Sequence, residues 1–193
     1  MKLSNFCILL AGLLLSACAS EGYTPYLDRF SEYALDDDDY ERFTLERTAC
    51  FGFCPIFKVT VDERDFLFFQ GERFVTETDG VLSKRLPKGS FKKILRIARD
   101  HEFSQFDPSY PNADRNNCGP IATDNPSIIL AFDTEHLDHA VKWYRGCSQF
   151  DSRAELEEMI AAVDAVLDID EWVGPRDAFM NAGDEDDDEQ SET

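Results

Sequence analysis

Two cysteines separated by three residues form the densest chemical motif in this sequence. Cys50 and Cys54 enclose Gly52 and are followed at once by Pro55. Such a pair can close a short disulfide, exchange electrons with other thiols, or offer two thiolates to a soft metal such as Cu(I). Glycine between the cysteines permits the sharp bend that brings their Cα atoms within about 7 Å of each other. We therefore expect a structural disulfide, with thiol-redox chemistry or copper handling as the alternative.

The copper alternative depends on two histidines further along the chain. The cysteine–proline pattern resembles the copper-binding motif of Sco-type assembly proteins, whose third ligand is a distant histidine, and His136 and His139 are the candidates here. That resemblance implies a thioredoxin-like fold with a helix directly after the cysteines, where the helix dipole activates a thiol. Residues 56–61 instead alternate apolar and polar side chains, which predicts a strand. A structural bridge is therefore favoured, and we expect no metal and no cofactor.

The first eighteen residues have the layout of a secretory signal that ends in a lipidation site. Residues 6–15 form an apolar run that is too short to span a bilayer. The residues Leu15-Ser16-Ala17-Cys18 resemble the lipobox of bacterial lipoproteins, which implies cleavage before Cys18 and acylation of that cysteine with palmitate-type chains. The expectation is a signal peptide over 1–17 and a membrane anchor at Cys18. Because Ala19 rather than aspartate follows, the resemblance implies the outer membrane, facing the periplasm.

Export makes disulfides the expected state of the later cysteines. Cys7 leaves with the signal and Cys18 is acylated, so four cysteines remain: Cys50, Cys54, Cys118 and Cys147. Of the three possible pairings we favour Cys50–Cys54 with Cys118–Cys147, because the second pair flanks a predicted hairpin. A bridge there would close a loop of about 30 residues and contribute about 3.5 kcal/mol in the chain-entropy model.

Acidic residues are concentrated at the two ends of the chain. The net charge is −20, and residues 18–41 contain eight acids against one arginine, while 178–193 contain seven acids and no base. Such runs bury too little apolar surface to offset the entropy of ordering. We therefore expect an acidic flexible tether over 18–41, one domain over 42–177 and a disordered acidic tail over 178–193. A chain this acidic is a poor match for nucleic acid.

The hydrophobic pattern of the domain predicts an α+β fold. Candidate strands cover 42–46, 56–61, 66–69, 74–78 and 81–86, with the last two joined by a hairpin turn at Asp79-Gly80. A second hairpin is expected from 127–133 and 139–144, after a long loop over 104–126. The expected sheet is an antiparallel β-meander plus this second hairpin, packed against two helices.

The two helices are predicted from the spacing of their apolar residues. One covers about 88–101, with Phe91, Ile94, Leu95 and Ala98 on one face. The other begins at a capping box made by Ser152 and Glu155. Its expected buried stripe is Leu156, Met159, Ile160, Val163, Val166 and Leu167. Trp172 and Val173 are expected to close the end of this helix against the sheet.

The residues around the first cysteine pair resemble a known bacterial family. Residues 47–57 read Arg-Thr-Ala-Cys-Phe-Gly-Phe-Cys-Pro-Ile-Phe. They match the signature Arg-Thr-x-Cys-Phe-Gly-x-Cys-Pro-x-aromatic of an envelope lipoprotein family that is catalogued as a domain of unknown function. The resemblance extends from about Leu45 to Gly71 and more weakly to Trp172. It implies a lipid-anchored envelope protein, and it implies no particular activity.

Two groups of residues are candidates for binding a partner. The segment between Asp79 and Asp100 contains seven bases and no acid. Lys88, Lys92, Arg96 and Arg99 would share one helical stripe. A solvated face explains such a stripe, and the sharper hypothesis is a docking surface for an anionic partner such as lipid phosphates. Phe51 and Phe53 could bind a partner protein, although we expect them to cover the end of the core.

The function that these observations favour is binding or structural support at a membrane surface. Serine-nucleophile motifs, phosphate-binding glycine loops and the H-E-x-x-H motif are absent from the sequence. We therefore expect no enzymatic activity and no catalytic residue. The expected partners are the membrane, through the lipid, and an envelope protein or anionic lipid. The alternative is a thiol-redox or copper-handling periplasmic protein that uses Cys50 and Cys54.

Overall fold

The computed structural model describes residues 40–76, 78 and 81–175. The predicted signal peptide, the lipidation site at Cys18, most of the tether, the Asp79-Gly80 turn and the acidic tail lie outside the described residues. The sheet has seven strands in the order β4-β3-β2-β1-β6-β7-β5. They are β1 Arg42–Arg47, β2 Ile56–Asp62, β3 Phe66–Arg73, β4 Val81–Arg85, β5 Ser109–Tyr110, β6 Ser127–Asp133 and β7 Asp138–Tyr144. All neighbouring strands are antiparallel except β5 and β7.

Three helices pack against this sheet, so the predicted α+β class is confirmed. They are α1 Ser90–Asp100, α2 Arg153–Leu167 and α3 Ile169–Val173, and a short 3₁₀ turn covers Phe103–Gln105. Since side chains alternate between the two faces of a strand, one face of each strand can carry the core. The best-buried row across the sheet is Leu82, Phe69, Val59, Leu45, Leu130 and Val141. We call the face that carries this row the inner face.

Both long helices bury the apolar faces that were expected from the sequence. Phe91, Ile94 and Ala98 of α1 are buried, whereas Leu95 is only partly buried. In α2 the buried residues are Leu156, Met159, Ile160, Val163 and Leu167, whereas Val166 is only partly buried. Helix α1 begins at Ser90, so Lys88 precedes it.

Trp172 closes the far end of α2 against the sheet, as expected. Its ring stacks on Phe69 with 5.1 Å between ring centroids, and its indole N–H donates to the Leu167 carbonyl at 3.3 Å. Helix α3 therefore ends in a buried aromatic contact with strand β3.

The prediction of a strand over 74–78 was wrong. Strand β3 runs on to Arg73 and pairs directly with β4, with Gln70 opposite Val81. Phe74 has a positive φ of 55°, which ends the extended conformation of β3. Thr76 then donates from its backbone N–H and its hydroxyl to the Trp172 carbonyl, at 3.0 and 2.6 Å. The segment bonds to the end of α3 instead of forming a ladder.

The predicted capping box of α2 is also wrong. Ser152 precedes the helix but its side chain makes no capping hydrogen bond. Its hydroxyl instead lies 3.1 Å from the hydroxyl of Tyr110. Glu155 accepts a contact from His101 at the end of α1, with 2.6 Å between Nδ1 and Oε1. Contacts between distant parts of the chain have replaced the local cap.

The long segment after α1 is held by side chains and by a disulfide. Asn117 donates to Asp107 at 2.7 Å and to the Ser109 carbonyl at 3.0 Å, and its own Oδ1 accepts from the Asn112 N–H at 2.6 Å. The loop predicted over 104–126 therefore contains the short strand β5 and an ordered polar turn. Loops of this length need such fixation in a compact domain.

Candidate functional site

The loop between β1 and β2 is fixed by hydrogen bonds to the first residue of β6 and to the segment before it. The Thr48 N–H donates to the Ser127 carbonyl at 3.0 Å, and the Ser127 N–H donates to the Thr48 hydroxyl at 2.8 Å. The Phe51 N–H donates to the Asp124 carbonyl at 3.1 Å. These bonds hold the loop at the end of the sheet where β1 finishes and β2 starts.

A disulfide closes this loop. Cys50 is bonded to Cys54, with 5.8 Å between the Cα atoms, and both residues are half-buried. Gly52, between them, has a φ of 131°, a conformation that other residues rarely adopt. We call residues 50–54 the disulfide loop.

The second disulfide joins Cys118 to Cys147, with 5.6 Å between the Cα atoms. Both bridges are therefore the pairs that the sequence favoured. Cys147 is completely buried within the core, whereas Cys118 is partly buried against it.

The expectation that Phe51 and Phe53 cover the end of the core was wrong. Phe51 is 90% exposed, and Phe53 is 41% exposed with an edge-on contact to Phe74 at 5.2 Å. The sharp turn at Gly52 directs the loop away from the sheet. Two large apolar side chains therefore lie on the surface of a loop that is closed covalently.

A third exposed apolar residue lies on a neighbouring segment. Ile121 is 51% exposed and forms a bridge with Cys147, and Ala122 next to it donates to the Gly146 carbonyl at 3.0 Å. The segments around Ala122 and Gly146 approach so closely that a Cβ on Gly146 would meet the Ala122 carbonyl oxygen at 2.0 Å. We call Phe51, Phe53 and Ile121 the apolar rim. The disulfide loop that carries the two phenylalanines is joined to the segment after Ile121 by the hydrogen bond from the Phe51 N–H to the Asp124 carbonyl.

A groove of about 450 Å³ lies beside the disulfide loop, between the sheet and α2. Cys54 of the loop and the adjacent Pro55 line it, together with Pro126 just before β6 and Ile128 in β6. Helix α2 contributes apolar and acidic side chains. The remaining lining residues are Arg47, Ser127, Arg145, Glu157, Ile160, Ala161 and Asp164. The groove thus combines apolar walls with two guanidinium groups and two carboxylates.

Arg47 and Asp164 form the central ion pair of this groove. Arg47 donates to Asp164 Oδ2, both side chains are 27% exposed, and the guanidinium lies 5.7 Å from the Phe57 ring. Burial raises the pKa of Asp164 above its ordinary value, and Arg47 opposes this shift. Among the described residues, Arg47 Nε and Asp164 Oδ1 are buried and make no hydrogen bond. The pair therefore keeps one unused donor and one unused acceptor.

Arg145 is the second cation of the groove. Its guanidinium lies 3.5 Å from Glu157 and 4.2 Å from the Trp143 ring. Burial lowers the pKa of Arg145 below its ordinary value, while Glu157 raises it by a smaller amount. Asp164 and Arg145 are two charged groups with displaced pKa values in one cleft, which is a common property of functional sites.

No motif in the sequence predicted this groove as a site. Arg47 could have been noticed, since it continues the inward alternation of Phe43 and Leu45 in β1 and so places a charge on the inner face. Asp164 could have been noticed as an acid directly beside the buried Val163 of α2. A cation on the inner face of β1 and an acid beside the buried stripe of α2 indicate a partly buried ion pair.

The two candidate histidines lie at the other end of the sheet. Register places Arg47 opposite Ile128 and Phe43 opposite Phe132, and Phe132 in turn lies opposite His139. The six-residue strand β1 separates these ends by about 17 Å. His139 Nε2 lies 3.1 Å from the Phe106 carbonyl oxygen. Because a carbonyl only accepts, Nε2 is the donor of this hydrogen bond. The structure brings neither His136 nor His139 to the disulfide loop, and β2 rather than a helix follows Cys54.

The basic stripe on α1 is exposed. Lys92, Arg96 and Arg99 line a second groove of about 590 Å³ together with His136 and Leu137 from the β6–β7 turn. Lys88 is exposed before the helix. Acids share this surface, because Arg99 pairs with Asp100 at 2.8 Å and Glu41 and Glu102 line the same groove.

The fold and site define a class of two-layer α+β domains in which a disulfide-closed loop borders a charged groove. The chain belongs to the DUF6438 family, a domain of unknown function, whose family model matches residues 41–167. A comparison with curated proteins gave no significant match. Within the described part of the chain, the structure contains no helix that is long and apolar enough to cross a membrane.

Proposed function

We propose that this protein is a lipid-anchored binding module of the bacterial cell envelope that holds a partner protein on the apolar rim and the adjacent groove. The observation that carries the proposal is the 90% exposure of Phe51 on a loop closed by a disulfide. An aromatic side chain buries about 150–250 Å² when it is covered. Leaving such a side chain in water is unfavourable unless a partner covers it.

The covalent closure of the loop supports a binding role. Residues Cys50 to Cys54 are constrained by the bridge, and the Phe51 N–H is bonded to the Asp124 carbonyl. A side chain on a rigid loop loses little conformational entropy when it binds, so more of the contact energy remains as affinity. Aromatic residues held in this way are typical of the few residues that dominate protein–protein binding energy.

The groove beside the rim can recognise polar groups of the same partner. Arg47 Nε is a free donor and Asp164 Oδ1 is a free acceptor, and Arg145 lies in the same groove. A donor and an acceptor side by side match a peptide amide group or a side-chain carboxamide. Small movements of the two side chains would make these atoms available to a partner.

A non-enzymatic role fits the chemical state of the groove. Cys54 is bonded to Cys50, and the two arginines are paired with carboxylates. Paired ions and a closed disulfide position a ligand more readily than they abstract a proton or attack a substrate. The thiol-redox alternative remains a prediction that requires the bridge to open during function.

The lipid anchor rests on the lipobox-like residues that end at Cys18. Intact-mass analysis of the mature protein should show a chain that begins at Cys18 and carries acyl chains on a diacylglycerol. Cys18→Ser should release the protein from the membrane fraction, because two or three acyl chains provide stable anchoring and their loss removes it. An unacylated mature chain that fractionates as the wild type does would contradict the proposed anchor.

Photo-crosslinking in the native envelope tests the binding surface. A photoreactive amino acid placed at Phe51 should capture one dominant protein, identified by mass spectrometry. The same group at Lys93, an exposed position on α1, is the control. Capture from position 51 and not from position 93 supports the proposal. Equal yields and equal products from both positions would overturn it.

A second contact, with anionic lipid, is suggested by the basic stripe. Lys92, Arg96 and Arg99 line one groove, so three positive side chains can reach the same anionic headgroup. Vesicles with an anionic lipid should bind the protein more tightly than neutral vesicles, and the difference should vanish by about 0.5 M salt. Affinity that does not respond to salt would remove the electrostatic contact from the proposal.

A further inference from the structure

The junction of α1 and α2 brings together three side chains that ligate metals. His101 directly follows the last residue of α1, while Glu155 and Glu158 lie three residues apart on one face of α2. One ligand atom from each side chain lies within 4.8 Å of the other two. His101 Nδ1 and Glu155 Oε1 are 2.6 Å apart. Two different helices therefore direct an imidazole and two carboxylates to one point.

The charges of this cluster are not neutralised by neighbouring bases. Within the described residues, neither Glu155 nor Glu158 forms an ion pair with a lysine or an arginine. Arg153, two residues before Glu155, is bound to Glu157 and to the Ser148 carbonyl. With a neutral imidazole the cluster has a charge of about −2, and a divalent cation would balance it.

The ligand set matches the chemistry of Zn²⁺. Zinc binds imidazole nitrogen at about 2.0–2.1 Å and carboxylate oxygen at about 2.0–2.2 Å, and it accepts three protein ligands with water in the fourth position. Ligand atoms around a tetrahedral zinc ion lie about 3.3 Å apart. Here His101 Nδ1 and Glu155 Oε1 are 2.6 Å apart, and one ligand atom of each of the three side chains lies within 4.8 Å of the others, so side-chain rotations can reach that arrangement.

We propose that His101, Glu155 and Glu158 form a binding site for a divalent transition-metal ion of the zinc type, separate from the disulfide loop. The ion would join the end of α1 to the first turns of α2. In its absence the same residues form the hydrogen bond between His101 and Glu155 that the structure shows. The proposal is independent of the binding role of the apolar rim.

The test is a titration of the full-length protein, purified in detergent and stripped with a chelator, with Zn²⁺ in the presence of millimolar Mg²⁺. Magnesium occupies the acidic runs of the chain, whose carboxylates prefer hard cations. Calorimetry should show one saturable equivalent of zinc. At a hundredfold excess over the dissociation constant the unfolding midpoint should rise by about 5–10 °C.

Two cluster variants, Glu158→Gln and His101→Asn, separate a metal site from an ion pair when they are compared with two controls. Glu158→Gln removes one ligand and leaves the His101–Glu155 hydrogen bond intact, and it should weaken zinc binding about tenfold or more. Glu102→Gln, next to His101, and His136→Asn, at an exposed turn, are matched controls that should bind zinc as the wild type does. Circular dichroism confirms that each variant is folded.

Either of two results would overturn the proposal. The first is calorimetry that detects no saturable zinc binding to the wild type, which would leave the cluster as an ion pair between helices. The second is zinc binding by Glu158→Gln and His101→Asn that is as tight as in the two controls, which would place the metal elsewhere on the chain. Loss of binding in both cluster variants with retention in both controls supports the site.

Discussion

The two disulfides of this protein sit in contrasting surroundings. Cys118–Cys147 ties the long segment after α1 to the core, and Cys147 is fully buried there. Cys50–Cys54 closes a loop whose central residues Phe51 and Gly52 are exposed. The first bridge spans 29 positions of sequence and the second spans four.

This difference shows how one kind of bond can serve stability or surface shape. The entropy that a bridge removes from the unfolded chain grows with the length of the loop it closes. The long bridge therefore contributes more to folding, and it also holds the segment in which Gly119 bonds to Gln149 and Ile121 pairs with Cys147. The short bridge contributes less to stability and instead fixes the conformation in which Phe51 points into solvent.

Loss of the long bridge should produce the largest effect. Cys118→Ala with Cys147→Ala should lower the free energy of unfolding by about 3–4 kcal/mol, because a loop of about 30 residues regains its freedom in the unfolded state. Urea unfolding of the oxidised proteins measures this change. A loss below about 1 kcal/mol would show that the segment is held by Asn117 and Tyr110 without the bridge.

Loss of the short bridge should be less costly. Cys50→Ala with Cys54→Ala should lower the free energy of unfolding by about 2 kcal/mol, the value for a loop of about five residues. The same urea experiment gives the comparison directly. If this double variant were less stable than the variant of the long bridge, the claim that the long bridge contributes more to folding stability would be wrong.

Removal of the carboxylate of the groove should have a pH-dependent effect. Asp164→Asn keeps the shape of the side chain but carries no charge at any pH, so it is the reference for what ionisation of Asp164 does to stability. Burial raises the pKa of Asp164 from 3.8, so the folded state binds this proton more tightly than the unfolded state. That contribution to stability is complete below the ordinary pKa and is lost as the pH rises through the folded value.

The stability of the wild type relative to Asp164→Asn should therefore fall as the pH increases from about 4, and then become constant. Urea unfolding of both proteins between about pH 3.5 and 7 measures the difference. A difference that grows with pH over this range would mean that the ion pair with Arg47 outweighs burial, and that the pKa of Asp164 is lowered.

Much of the fold could be predicted because its hydrophobic periodicity is regular. Strands β1, β2, β6 and β7 alternate, and the helices repeat their apolar residues with helical spacing, so local pattern and burial agree. Glycine at position 52 and the hairpin that separates Cys118 from Cys147 made the pairing of the cysteines predictable as well.

The wrong predictions share a physical cause, which is competition from distant residues. The hairpin expected around Asp79-Gly80 was wrong over 74–76 because Thr76 bonds to Trp172, 96 positions away. The capping box failed because Glu155 bonds to His101, 54 positions away. Local patterns contain no information on such contacts.

The exposure of Phe51 could not be predicted for a related reason. Burial of a phenylalanine side chain is favourable because the side chain is hydrophobic. The direction of the loop, however, decides whether that side chain packs in the core. The ion pair of Arg47 with Asp164 is similar, since its partners are 117 positions apart. The candidate site therefore emerged from the three-dimensional arrangement rather than from the motif alone.

The most direct test of the account is the affinity of the Phe51→Ala variant for the protein that position 51 captures in the envelope. Phe51 is exposed, so its truncation should change the free energy of unfolding by less than about 0.5 kcal/mol. The affinity should fall by tenfold or more, as expected for an aromatic residue at the centre of an interface. An unchanged affinity in a stably folded Phe51→Ala protein would contradict the claim that the apolar rim is the binding surface.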